Sequence, residues 1–249
     1  MLDTQTKNGL SGVSKFSNLM KGTSTGSVLE QSNGSIQRYD ERIEELRISR
    51  FYQVAKRGLD VCGALVGLTV LTLLLPIIGL LVLWEDHGPI FYQHVRIGQY
   101  GRPFITYKLR SMVTDADAYL ARHPELLEAW KKSGKLENDP RVTRVGRILR
   151  QTSIDELPQL LNVLRGEVSL VGPRAIQFSE VERFGELIEL RQSVKPGLTG
   201  LWQVSGRSMI DYEQRAILDC IYVMEHSFWM DIFILLKTIP VVIRGVGAY

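Results

Sequence analysis

The chain has 249 residues, of which 45% are hydrophobic and 23% charged, and a formal net charge of +3 at pH 7. One domain is the prior at this length, with two allowed, and so mild a charge fits an anionic membrane surface or nucleotide ligands without selecting either, while nucleic acid is not an expected partner. Cys62 and Cys220 form no spacing motif and the four histidines are scattered, so a zinc cluster is not suggested and a reduced, cytosol-facing protein is the simple reading.

Residues 1–35 are rich in Ser, Gly, Thr, Asn and Gln and read as a disordered tail. No apolar core follows the first basic residues, so no signal peptide is expected. From Ile36 the pattern changes: Ile36, Tyr39, Ile43 and Leu46 recur at helical spacing. This predicts an amphipathic lead-in helix, toward a membrane or a partner. Val61 to Trp84 then carries no charge and is long enough to cross a bilayer, for which about 20 apolar residues suffice. Two features argue for a different path. Pro76 lies inside the run, removing a backbone donor and bending the helix. Both flanks are basic, with Arg47, Arg50, Lys56 and Arg57 before and Arg96, Arg102, Lys108 and Arg110 after, which places both ends in the cytoplasm. A helix broken near Pro76 that enters and leaves one leaflet satisfies both. Lys56 and Asp60 are spaced to pair, as a headgroup-level anchor or as a plain surface ion pair.

Gly88-Pro89 ends the apolar segment. Pro89 to Arg96 and Arg102 to Leu109 read as two short strands around Gly98-Gln-Tyr-Gly101, a hairpin turn or a phosphate cradle. Asp115 to Lys132 reads as helical with an interruption at His123-Pro124, and Ser133 to Asp139 as a polar loop.

The stretch from Asp139 to Arg174 organises the rest. It sets the dipeptide Asp155-Glu156 among Arg141, Arg144, Arg147, Arg150, Arg165 and Arg174, with no lysine. Arginine stays charged and presents a planar fork that fits paired phosphate oxygens. Carboxylates in a bed of guanidiniums point to phosphate chemistry. Thr152 and Ser153 are natural helix N-caps, Ser153-x-x-Glu156 reads as a capping box, Pro158 fits a first turn and Gly166 a stop. Asp155 and Glu156 are then expected, ionised, at a helix N-terminus and about 100° apart, holding different roles. The alternative is that they only cap and decorate the helix. Arg144 and Arg147 read as a solvated or headgroup-facing stripe.

Glu167 to Val171 reads as a strand leaving through Gly172-Pro-Arg174, and Phe178 to Arg191 as a helix. Lys195 to Gly200 is a turn-rich loop whose Gly197 and Gly200 would let backbone approach a ligand closely. Trp202 is expected in the core, or stacked on a base. Asp211 to His226 reads as a helix, and Phe228 to Val242 as an amphipathic helix lying in a membrane interface. There is no internal repeat.

Several ordered motifs carry a resemblance. KRGLD, GPIFYQHVRIGQYGRPFITYKLRSM, DPRVTRVGRILRQTSIDELPQ, VGPR and KPGLTGLWQVSGR resemble those of the bacterial sugar transferases, the monotopic phosphoglycosyl transferases that prime exopolysaccharide, O-antigen or capsule assembly. The likeness runs from Lys56 to about Gly245. Leu109, Ile154 and Ala175 depart from the usual Phe, Leu and Pro, and only Ala175, beside Arg174, touches the expected site.

The resemblance implies an α+β protein: a re-entrant membrane helix hairpin plus a small, mostly helical cytosolic catalytic domain with short strands and interfacial amphipathic helices. The expected divisions are 1–35 tail, 36–88 lead-in and membrane helix, and 89–249 catalytic domain. The implied reaction moves a sugar-1-phosphate from a UDP-sugar, glucose or galactose favoured, to undecaprenyl phosphate and releases UMP, at the cytosolic face of the bacterial inner membrane. Asp155 would be the nucleophile, Glu156 the Mg²⁺ ligand, and Lys108, Arg110, Arg150 and Arg174 the phosphate-binding groups. Exposed helices leave room for a homodimer. The competing class is a membrane-anchored scaffold without catalysis; a phosphohydrolase would not need the long apolar segment.

Overall fold

The structure is a computed structural model and describes residues 50–133, 136, 138–206 and 210–243. The tail over 1–35, the lead-in from Ile36 to Leu46, Arg47 and part of the 133–139 loop lie outside the described residues. The fold is mixed and mostly helical. In chain order it runs α1 (Arg50–Asp86), β1 (Phe91–Ile97), β2 (Pro103–Leu109), α2 (Ala116–Ala121), α3 (Pro124–Ser133), α4 (Arg144–Gln151), a 3₁₀ turn (Ile154–Gln159), α5 (Leu160–Arg165), β3 (Ser169–Val171), a 3₁₀ segment (Phe178–Phe184), α6 (Leu187–Gln192), β4 (Gly197–Thr199), α7 (Leu201–Ser205), α8 (Tyr212–Glu225) and α9 (Phe228–Ile243).

The break expected near Pro76 does not divide the membrane segment, which is one helix over Arg50–Asp86. α1 has 37 residues with Pro76 inside it, a length of about 55 Å at 1.5 Å per residue. The reason is packing on both sides of the proline. Leu71, Leu74, Leu75, Ile78 and Val82 all join one cluster with Leu109 and Leu149. One missing backbone donor does not outweigh a continuous apolar seam. The opposite side of the helix is uncovered: Leu65, Val66, Val70, Leu73, Ile77, Leu80, Leu81 and Trp84 are exposed.

Both ends of α1 are bonded to the same body. Near its start, Lys56 does not pair with Asp60. Its ammonium reaches the fully buried Asp231 of α9 at 2.8 Å and the Val171 carbonyl at 3.0 Å. Asp60 instead accepts from Ser169 Oγ at 2.9 Å and the Leu170 amide at 2.8 Å. At the far end, Glu85 accepts from the Arg144 and Val145 amides, closing the N-terminus of α4, and Asp86 accepts from Arg110 and the Thr114 amide. Helical spacing made the Lys56–Asp60 pair locally available; buried partners with free hydrogen-bonding capacity took both groups instead.

β1 and β2 form the expected antiparallel hairpin, with His94 opposite Thr106 and Tyr92 opposite Lys108. The turn carries Tyr100 at φ 57°. The stretch read as a loop after Lys195 contains β4, parallel to β3. A Cβ on Gly197 would lie 2.1 Å from the Gly172 amide nitrogen, and one on Gly200 2.2 Å from the Gly172 carbonyl oxygen. These glycines admit the close approach of the Gly172 backbone, and Gly197 also lines a cleft beside Lys108 and Arg174. The largest core cluster joins β3, α6, α7, α8 and α9 through Val171, Leu190, Leu201, Leu218, Tyr222, Val223 and Ile234. Trp202 packs against that cluster, as expected, with Arg215 over its ring at 4.9 Å.

Gly146 marks where α4 meets the end of the hairpin. A Cβ there would sit 2.0 Å from the Ser111 carbonyl oxygen. Gly146→Ala is therefore expected to destabilise the fold by about 2 kcal/mol, the cost of overpacking against immobile backbone, despite alanine's better helix propensity. Urea unfolding checks it, and an unchanged midpoint would show that α4 is free to shift.

Candidate active site

The active-site candidate is built where the 3₁₀ turn Ile154–Gln159 crosses the end of β2. The local design differs from a capped helix. Thr152 closes α4, its hydroxyl donating to the Ile148 and Leu149 carbonyls. Ser153 sits at φ 56°, ψ 17° and makes no side-chain cap. The capping box does not form, because a single left-handed residue joins two helical segments and no extended N-cap position exists between them. Asp155 and Glu156 do lie in the first turn, but of a 3₁₀ turn, where neighbours diverge by about 120°.

That divergence separates their environments. Glu156 Oε1 accepts from Lys108 Nζ at 2.6 Å and from Arg174 at 2.8 Å. Burial opposes its ionisation, but Arg174 and Lys108 outweigh it and hold the carboxyl well below the usual range. Asp155 is 7% exposed, and among the described residues nothing donates a hydrogen bond to it. Burial pushes its carboxyl up, to about 6, against the opposing pull of Lys108 and with the push of the neighbouring Glu156 charge. The expected helix-terminus effect is overridden, since a short turn offers little dipole and desolvation is large. One carboxylate is thus locked by cations. The other is free, desolvated and surrounded by them.

The remaining residues divide. Lys108 and Arg174 meet at Glu156. Arg150 Nε donates to Ser111 Oγ at 2.9 Å, and its charge is felt at Asp155. Arg110 is turned onto Asp86, at 2.6 Å, and the Val82 carbonyl, and is not part of the Glu156 cluster. Arg144 and Arg147 are exposed, while Arg141 is buried and paired with Asp139.

A cleft beside the pair is lined by Arg96, Thr106, Lys108, Gln159, Arg174 and Leu198. Arg96 belongs to it and was missed as a site residue, read only as a basic flank. It shares one face of the hairpin with His94 and, across the register, with Phe104, Thr106 and Lys108, and the two-residue alternation of β1 was the signal that could have found it. Burial and the Arg174 charge push its pKa down, so an anion in the cleft would relieve both.

Behind Arg174 stands a second pair missed in the sequence. Arg191 Nε donates to Asp219 at 2.9 Å, and another of its nitrogens donates to the Arg174 carbonyl. Both side chains are under 5% exposed. Burial pushes the Asp219 carboxyl up to about 6 despite Arg191. Arg191→Met strands that carboxylate and is expected to destabilise the protein by about 3 kcal/mol above pH 7. The sign with pH follows: the stranded group's folded pKa lies above its unfolded value, so the loss shrinks as pH falls and the proton returns. Unfolding midpoints at pH 5 and 8 check it; an equal loss at both would assign the effect to packing.

No group of three or more His, Cys, Asp or Glu side chains gathers as a metal cage among the described residues. The donor set nonetheless suits Mg²⁺, which keeps waters and takes one or two carboxylates plus substrate phosphates. Glu156 offers its second carboxylate oxygen, and Asp155 is adjacent.

The family pattern described as bacterial sugar transferase matches residues 51–245. The chain is 44% identical over 216 residues to an undecaprenyl-phosphate galactose phosphotransferase of Salmonella typhimurium, covering 84% of this chain and 44% of that protein. It is 46% identical over 200 residues to a UDP-galactose-lipid carrier transferase of Erwinia amylovora, covering 78% of this chain and 41% of that protein. It is 44% identical to the exopolysaccharide production protein ExoY of Rhizobium meliloti, covering 79% of this chain and 88% of that protein. The chain thus spans less than half the length of the first two relatives and most of the third.

Proposed function

Because the chain belongs to the bacterial sugar transferase family, we propose that it transfers a sugar-1-phosphate from a UDP-sugar to undecaprenyl phosphate, releasing UMP, as the first membrane step of exopolysaccharide or O-antigen assembly. Galactose is the favoured sugar, since two relatives are named for it. The observation that carries the mechanism is the split between the carboxylates: Glu156 is locked by Lys108 and Arg174, while the Asp155 carboxylate accepts no hydrogen bond among the described residues and sits in a cationic setting.

In the proposed first step an ionised Asp155 oxygen attacks the β-phosphorus, and the bond from that phosphorus to the bridging oxygen breaks. The electron pair leaves with UMP, and an aspartyl-phosphosugar remains. A phosphate oxygen of the lipid then attacks the same phosphorus, and the bond from that phosphorus to the Asp155 oxygen breaks, restoring the carboxylate and leaving the sugar diphosphate on the lipid. Lys108, Arg150, Arg174 and Arg96 hold the charge of the transferring group. Mg²⁺ on Glu156 would supply further neutralisation of the diphosphate.

The membrane placement rests on α1. The helix is bonded to one body through Tyr52 in its first turn and Glu85 and Asp86 in its last, which supports both ends lying on the same side of a bilayer. Its uncovered apolar side, with the exposed Trp229, Leu236 and Ile239 of α9, enters one leaflet from the cytosolic face. The test is a burst assay with a panel of UDP-sugars in lipid nanodiscs. About one UMP per protein should form without lipid acceptor, as covalent catalysis requires. UMP formed only when polyprenyl phosphate is present would remove the covalent step, and steady release of free sugar-1-phosphate would make the protein a hydrolase.

A further inference from the structure

A second groove lies away from the carboxylates, between the β1–β2 turn and the C-terminal end of α5. Tyr100, Arg102 and Phe104 form one wall, and Arg165, Glu167 and Lys195 the other. Gln99 Nε2 donates to the Ser193 carbonyl at 2.8 Å, which ties the turn to the segment bearing Lys195 and holds the walls together. The lining has three cations and one acid, and the Glu167 carboxylate already accepts from Asn162 at 2.8 Å.

Lys195 is the informative group. It is half-buried, and among the described residues no carboxylate lies within ion-pairing distance of it. A Cβ on Gly166 would be 3.4 Å from its ammonium and 3.8 Å from the Arg57 guanidinium, so two cations converge on this point. Arg57 is accounted for, because it donates to the Val163 and Leu164 carbonyls at the end of α5. Lys195 has no such partner. Burial and the Arg57 charge push its pKa down, against a partial pull from Asp60, which is the cost of holding a cation there without a carboxylate in contact. An anion in the groove would offset it.

The groove and the catalytic cleft share one face of β2: Phe104 lines the first and Lys108 the second. They adjoin, since Thr106 of the cleft is two residues from Phe104 and Arg96 pairs with Phe104, but they share no lining residue, so each can hold its own phosphate. We propose that this groove is a second phosphate site, binding a phosphate monoester held apart from the reacting diphosphate while Lys108 and Arg174 serve the reaction. In naming substrate phosphates as occupants it rests on the function proposed above. The source is either the acceptor lipid's headgroup before it moves in to attack, since Arg57 lies near the start of the membrane helix, or the nucleotide after it has departed.

Amine labelling tests the site without turnover. The full chain in phosphatidylcholine nanodiscs is treated with an acetylating reagent at matched ionic strength. The additions are sodium phosphate, UMP, or polyprenyl phosphate in the disc, with labelling read by mass spectrometry. Lys195 acetylation is expected to fall about threefold, the protection given by a ligand at twice its dissociation constant, while the exposed Lys131 is unchanged. Protection by the lipid alone assigns the groove to the acceptor, and protection by UMP assigns it to the nucleotide; Arg102→Gln with Arg165→Gln should abolish either. If none of the three protects Lys195, or if protection survives the double variant, the site is refuted. Should no UDP-sugar yield UMP, the proposed reaction fails while this labelling result stands on its own.

Discussion

Asp155→Asn is expected to abolish the sugar-phosphate adduct and to lower UMP release by at least about 10⁴-fold, the scale on which removing a covalent nucleophile acts. The isosteric amide keeps the 3₁₀ turn and the neighbouring Lys108–Glu156–Arg174 contacts, so folding is not the confounder. The loss should also be distinguishable by pH. On the proposed mechanism the reactive species in the wild type is the ionised carboxylate, and burial raises its pKa to about 6. The burst rate should therefore climb with pH through about 6 and level off above 7, falling about tenfold per unit on the acid side, as for a single titrating base. Mass spectrometry of the trapped protein after exposure to UDP-galactose reads the adduct. An adduct of undiminished yield in the Asn variant would move the nucleophile elsewhere.

Glu156→Gln is expected to lower the burst rate by about 10²-fold without removing the adduct, the scale of losing one preorganised electrostatic group. Its charge now anchors Lys108 and Arg174 through a single oxygen at 2.6 and 2.8 Å. Gln can still accept from one of them but cannot neutralise both. The change also has a signed consequence next door. Glu156 is one of the groups that raise the Asp155 pKa, and Lys108 and Arg174 are among those that lower it. Removing the negative charge and freeing the cations both favour ionised Asp155, so the acid limb of the burst should move to lower pH. A slower rate with a limb moved to higher pH would contradict the charge arrangement. Half-saturating Mg²⁺ should rise in the same variant; an unchanged value would remove Glu156 as the metal ligand.

The strands of the hairpin, the break between α2 and α3, the end of α5 at Gly166 and the helical course of Phe228–Ile243 were all legible, because each is written in local spacing or in a residue with one strong backbone preference. β4 was not: its three residues acquire strand character only by lying parallel to Ser169–Val171, and turn-rich composition gives no sign of that. Ser153 shows the same limit from the other side. Its chemistry suits an N-cap, yet the abutting α4 forces it into a left-handed joint.

By itself the sequence determined the Asp155-Glu156 dipeptide, the arginine-rich bed and the long apolar segment, since these depend on residue type and near spacing. Only the tertiary structure decided how charges were shared. It locked Glu156 and left Asp155 free, drew Arg110 to Asp86, brought Arg96 into the cleft and placed Arg191 behind Arg174. It also separated Lys56 from Asp60 and kept α1 whole across Pro76. The physical reason is common to all of these. Which partner a charge takes, and whether a proline divides a helix, is settled by desolvation and by packing across the fold, and neither is encoded in the neighbours along the chain.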